Sequence, residues 1–234
     1  MAYKEFFLTD SLSVTIYKRR RCRSLRLSIA ASGRIRMTIP VWVSYRSGLE
    51  FARSRLPWIE RHYRLPGLLV HGQIIGKAHH LVLQSAANVV KPIGRVGKSE
   101  VIVRYPAHIS PTHETVQQVA QRAGMRALRL QARQLLPIRL DELAKREGFR
   151  YKSVSVRQLK SRWGSCDSES HIVLSIFLMQ LPWDLIDYVL LHELVHTNVH
   201  KHGPEFWQQL EKLLPNARSL RKTIRSYQPH MALQ

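Results

Sequence analysis

Acidic residues are scarce in this chain: 16 Asp and Glu stand against 37 Lys and Arg, a formal charge of +21 over 234 residues. Such a field attracts polyanions in a salt-dependent way, although it serves solubility equally well. Cysteine is scarcer still. Cys22 and Cys166 alone form no disulfide framework and no cysteine-based zinc pattern, so a reducing, cytoplasmic setting is expected. No apolar run approaches the roughly 18–20 residues of a membrane span, and Met1-Ala2-Tyr3-Lys4-Glu5 opens no signal peptide. Internal repeats and low-complexity tracts are absent too. What remains is an ordinary globular composition, 44% hydrophobic, long enough for one or two domains at about 150 residues each.

The positive charge is unevenly spread. Residues 1–110 hold 19 Lys and Arg against 5 Asp and Glu, whereas residues 111–234 hold 18 against 11. The first stretch reads as β-rich. Leu12-Ser13-Val14-Thr15-Ile16-Tyr17, Leu25-Arg26-Leu27-Ser28-Ile29 and Arg34 to Pro40 alternate as strands do, with a turn expected at Ala31-Ser32-Gly33. The basic cluster Lys18 to Arg23 falls between strands, as a solvated loop would. A helix is expected from Ser47 to about Tyr63, interrupted or delayed by Pro57. Short strands follow at 68–70, 73–75, 81–83 and 101–103, with turns at Gly72, Gly76 and Gly94.

From about Thr112 to Glu147 the period becomes helical. Pro137 is expected to kink or divide this segment and Gly148 to end it. Arg122, Arg126, Arg129 and Arg133 recur at helical spacing, as on a solvated face. Strands are expected at 151–158 and 171–177. Leu181-Pro182-Trp183-Asp184 then opens another helix, with Asp184 able to cap free N–H groups. The chain therefore reads as α+β: a β-rich basic region over 1–110, then a mainly helical domain with a small sheet over 111–234.

His192-Glu193-Leu194-Val195-His196 lies in this last helix. Positions four apart share one helix face, about 6 Å apart along the axis, so two imidazoles can close on one Zn²⁺. Glu193 follows the first of them, where it can reach a water as general base. A hydrolytic site needs a third protein ligand. His200 would lie about 12 Å along a continuous helix from His192, too far for one ion. His202, just before the helix-breaking Gly203-Pro204, is better placed, and Glu205 is a further candidate. Cys166 reads as a small buried residue, and His79, His80 and His113 as surface or turn residues.

Together with Ser161-Arg162-Trp163-Gly164-Ser165-Cys166, Asp187-Tyr188-Val189 and His202-x-x-x-Phe206-Trp207, the motif resembles the YgjP-like metallopeptidase family, itself similar to the WLM and SprT-like zinc proteins. The resemblance implies a zincin-like catalytic domain, with His192, His196 and His202 as metal ligands and Glu193 as catalytic base. By the same resemblance Arg162 meets a substrate carbonyl, carboxylate or phosphate; an ion pair at a structural turn is its other reading. One departure is visible: the family commonly has Asn-His-Ser where this chain has Lys201-His202-Gly203. Zinc-dependent hydrolysis of peptides or proteins is the leading expectation. A metal-dependent nucleotide pyrophosphohydrolase is the second, and a basic nucleic-acid-binding protein with a structural zinc the third.

Overall fold

Alternating apolar residues near the N-terminus resolve into one four-stranded sheet. The computed structural model describes residues 3–9, 12–29, 35–62, 68–159 and 161–227, and all their side chains except those of 60–62. It divides into two compact units, Met1–Gly67 and Leu68–Ala232. In the first, β1 (Tyr3–Phe7), β2 (Ser13–Arg19), β3 (Arg26–Ile29) and β4 (Ile35–Pro40) lie in the order β1-β2-β4-β3. β2 and β4 run parallel, and the outer pairs are antiparallel. One face buries Val14, Ile16, Ile35, Met37 and Ile39 against Ala52 and Ile59 of two helices, α1 (Tyr45–Ser54) and α2 (Leu56–His62). Ser44 caps α1 by accepting from the Ser47 N–H at 3.0 Å. The break between the helices falls at Arg55, with Pro57 in the first turn of α2, where its missing N–H costs nothing. The expected turn at 31–33 lies outside the described residues.

The second unit holds two sheets joined by a long helix. β5 (Ile74–Ile75), β6 (His79–Ala86), β7 (Ile93–Val96) and β8 (Glu100–Pro106) form the order β5-β6-β8-β7. Residues 68–70, read as a strand, are irregular, and Gly94 sits inside β7 rather than in a turn. A Cβ there would come within 2.9 Å of Val119 Cγ1, so glycine lets the strand approach the helix. The expected boundary at residue 110 therefore falls inside this unit, because this sheet packs on the following helix.

That helix, α3 (Glu114–Glu147), runs unbroken through Pro137 and ends at Gly148, whose φ of +73° gives a left-handed cap. Its early turns meet β7 and β8, and its later turns meet the elements that carry the site. Gln131 pins the middle: its amide accepts from the Lys77 N–H (2.6 Å) and donates to the Ile75 carbonyl and His79 Nδ1. His79 Nε2 donates to the Gly97 carbonyl at 3.2 Å. His79 is thus a buried, fully bonded core histidine and not a surface residue. His80 stays half-exposed beside Glu100, and His113 caps α3. Of the arginine stripe, Arg122, Arg126 and Arg133 are exposed.

Beyond α3, β9 (Ser153–Arg157), β10 (Gly164–Cys166) and β11 (His171–Ser175) form a second sheet with β10 at one edge. A 3₁₀ turn (Ile176–Gln180) leads to α4 (Trp183–Val195), α5 (Pro204–Leu213) and α6 (Ala217–Ile224). Pro182 caps α4, while Asp184 lies in its first turn without a capping bond, where its charge still complements the helix dipole. Helices and sheets alternate in a mixed α+β fold. No helix among the described residues is long and apolar enough to cross a membrane.

Candidate metal centre

α4 is apolar on nearly every side and is buried from Leu185 to Val195 save Asp187 and His192. Arg139 of α3 fixes its rotation through a bidentate pair with Asp187, Nε to Oδ1 at 2.9 Å and Nη2 to Oδ2 at 2.6 Å. Five residues later comes His192. The helix ends at His196, earlier than Gly203-Pro204 implied: Thr197 turns its hydroxyl onto the Leu194 carbonyl (2.7 Å), and the backbone closes into turns. The chain then doubles back, so that His202 sits beside α4, immediately before Gly203 and Pro204 start α5.

This path converges three imidazoles. His202 Nε2 is 2.9 Å from His192 Nε2 and 3.1 Å from His196 Nε2. One ligand atom from each residue lies within 4.8 Å of the others. His200 and Glu205, exposed, do not join the group. Phe206 of α5 is fully buried and floors the cluster, its ring centroid 4.6–4.8 Å from all three imidazoles.

Protonation states follow from the surroundings. His196 Nδ1 lies 3.0 Å from the Val199 carbonyl, which can only accept, so Nδ1 carries the proton and Nε2 a free lone pair. Burial, then repulsion from His196, His202 and Arg221, drives the His192 pKa down to about 3. Burial likewise lowers His196. The Nε2 atoms of the three rings face one another, with His202 Nε2 at 2.9 and 3.1 Å from the other two. Two nitrogens each about 2.05 Å from a tetrahedral ion stand about 3.3 Å apart, so the donor set fits a metal ion. His192 Nδ1, by contrast, is buried without a hydrogen-bond partner.

Glu193 points the other way, toward β10. It is 5% exposed, and burial pushes its pKa up to about 8 against the pull of the Arg162 charge. Gly164 of β10 makes room for it: a Cβ at Gly164 would lie 2.7 Å from Glu193 Oε1 and 2.9 Å from Cγ. The segment read as a tight turn is therefore an edge strand whose glycine admits a carboxylate. Arg162, exposed, precedes this strand and acts on Glu193 by its charge. Cys166 stays outside the histidine group, and its thiol is pushed up to about 11 by burial and by the nearby Glu193.

Helix α6 had no expectation attached to it, and it supplies cations. Arg221 lies over the Trp207 ring at 4.5 Å, and Trp207 in turn stacks on His202. A cavity of about 290 Å³ is lined by Trp207, Arg218, Arg221, Lys222 and Arg225. A larger one of about 490 Å³ beside it includes His202, Trp207, Glu211 and Arg218, the last two ion-paired. The only signal was Ala217, Leu220 and Ile224 at helical spacing, a stripe too short to stand out.

No curated protein matches this chain in sequence. Among solved structures, it is similar to the metallopeptidase zymogen of Pyrococcus abyssi abylysin, at 22% identity and a TM-score of 0.38 over 42% of this chain and 100% of that one. It is also similar to the metallopeptidase zymogen of Methanocaldococcus jannaschii jannalysin, at 16% identity and a TM-score of 0.35 over 39% of this chain and 94% of that one. Neither likeness reaches half of this chain. Residues 23–227, by contrast, match a single family across both units, and the chain belongs to that family, the YgjP-like metallopeptidase domain.

Proposed function

We propose that this protein is a zinc-dependent metallopeptidase in which His192, His196 and His202 hold the metal and Glu193 is the general base. The observation that carries the reading is the convergence of three imidazole nitrogens, two of them from the end of α4, beside a buried carboxylate of that helix. When bound, zinc supplies a Lewis acid that polarises a carbonyl and brings the pKa of a water toward about 7. Glu193 takes the attacking water's proton and delivers it to the leaving amine. Burial that lifts its pKa toward neutrality suits a group that must both accept and release a proton. Arg162, exposed just before β10, would meet a carbonyl or carboxylate of a peptide or protein substrate.

The test is elemental analysis of the purified protein together with peptide cleavage. About one zinc per chain is expected, lost or weakened in His192→Ala and His202→Ala. Glu193→Gln should keep the metal and lower kcat by roughly 10²–10⁴-fold. Zinc retained in both histidine variants, or full turnover in Glu193→Gln, would overturn the reading.

A second reading keeps the metal and changes the bond. Trp207, Arg221, Lys222 and Arg225 offer a ring and three cations beside the histidines, a lining that suits a nucleotide's base and phosphates. Pyrophosphate or phosphate release from nucleoside triphosphates, lost in Arg221→Glu while peptide cleavage is absent from the parent, would favour a pyrophosphohydrolase instead.

A further inference from the structure

The N-terminal sheet is covered on one face only by its own helices. Side chains alternate across each strand, so the face opposite Val14, Ile16 and Met37 is set by the pairing register. One row across all four strands reads Tyr3, Tyr17, Thr38, Arg26, and the next reads Glu5, Thr15, Arg36, Ser28. Phe7 and Arg19 extend the same face at opposite ends. Tyr3 and Phe7 are 63% and 73% exposed, so this face presents two open aromatic rings. The Tyr3 and Tyr17 rings lie 5.7 Å apart.

Charge complements the rings. Residues 1–67 hold 14 Lys and Arg against 4 Asp and Glu, a net of +10. Arg19, Arg26 and Arg36 make no ion pair with any described residue. Glu5, the one described carboxylate on this face, accepts from Ser13 Oγ at 2.7 Å. Because Arg26 pairs with Thr38 near the end of β4, it shares one end of the sheet with Arg19 and the exposed Arg20, Arg21 and Arg23. Aromatic faces flanked by arginines on an open sheet combine base stacking with phosphate neutralisation, and an extended single strand meets both. A duplex hides its base faces and would use only the cations.

We propose that this face binds single-stranded nucleic acid, with bases stacked on Tyr3, Tyr17 and Phe7 and the backbone held by Arg19, Arg26 and Arg36. The site lies in the first unit and does not depend on the hydrolase reading.

The test is fluorescence anisotropy of the full chain with labelled oligouridylate, oligodeoxythymidylate and a DNA duplex, each of about 12 nucleotides or base pairs. Single strands should bind more tightly than duplex. Tyr17→Ala and Phe7→Ala should each weaken them about tenfold, while Tyr17→Phe keeps the ring and the affinity. Arg36→Glu should also weaken binding and flatten the dependence of log K on log salt by about 0.7 or more. Arg53→Glu, on the exposed side of α1, matches that charge change and should leave binding near the parent's. Melting curves confirm that each variant is folded; if Tyr17→Ala is not, Phe7→Ala decides. Equal binding by Phe7→Ala, an equal loss in Arg53→Glu, or a preference for duplex would overturn the proposal. So would competition by polyglutamate as strong as by the oligonucleotide, which would make the face a site for acidic proteins.

Discussion

Gly164 and Glu193 are a matched pair. Without a Cβ the strand lets the carboxylate lie against its backbone; with one, the Glu193 side chain must move. Gly164→Ala is therefore expected to keep its metal, measured by elemental analysis, and to lose turnover by an order of magnitude or more. Glu193 also sets a pH signature in protein stripped of metal. Its pKa is raised from 4.5 to about 8 by burial, so between those values the folded chain holds more protons than the unfolded one, and stability falls as pH rises. His192 acts oppositely, its pKa lowered from 6.5 to about 3, so that its neutral form favours the fold increasingly as pH rises from 3 to 6.5. Between 6.5 and 8 only the first effect is left. Denaturant titrations of metal-free protein should show stability declining across that window, and Glu193→Gln should remove the decline. Cys166 gives an independent probe of the same pocket. With its thiol near 11, alkylation by iodoacetamide should stay slow at pH 8 and accelerate only above about pH 10. Fast labelling at pH 7 would mean that the pocket is open.

At the scale of elements, apolar burial seats α4, and one bidentate pair ties it to α3. Arg139→Ala removes charge-assisted hydrogen bonds from a partly buried Asp187 and should destabilise the protein by about 1–2 kcal/mol. Arg139→Lys, which cannot reproduce the fork, should recover little of the loss. The same element shows what could be read beforehand. Two histidines four residues apart on one helix face are a local fact, and so is a helix break by Gly203-Pro204, although the helix in fact ends earlier, at His196. The strands β2, β3 and β4 were legible from period-two alternation, but their pairing and order were not. β10 was not, since a glycine flanked by tryptophan and serine looks like a turn until the carboxylate it accommodates is in view. Nor was the burial of His79, which depends on Gln131, 52 residues away. Long-range contacts decide such cases, and no local pattern encodes them.

For the whole molecule, a bound ion adds stability by mass action. If zinc binds the folded chain alone, free metal at about a hundred times its Kd contributes about 2.7 kcal/mol, which raises Tm by roughly 5–10 °C in a chain of this size. Calorimetry with and without chelator should show that difference, and it should vanish in His192→Ala. The +21 charge should meanwhile make any polyanion binding fall steeply with salt. Helix α3 has a mechanical consequence as well. At 34 residues it is about 50 Å long, a beam resting on Gly94 near one end and clamped to Asp187 toward the other. Val119, which touches the glycine, and Arg139, which grips α4, are twenty residues or about 30 Å apart along it. A tilt of some five degrees at the first support swings the second by about 2–3 Å. A side chain wedged in at Gly94 thus works as a lever on the histidine helix from the far end of the unit.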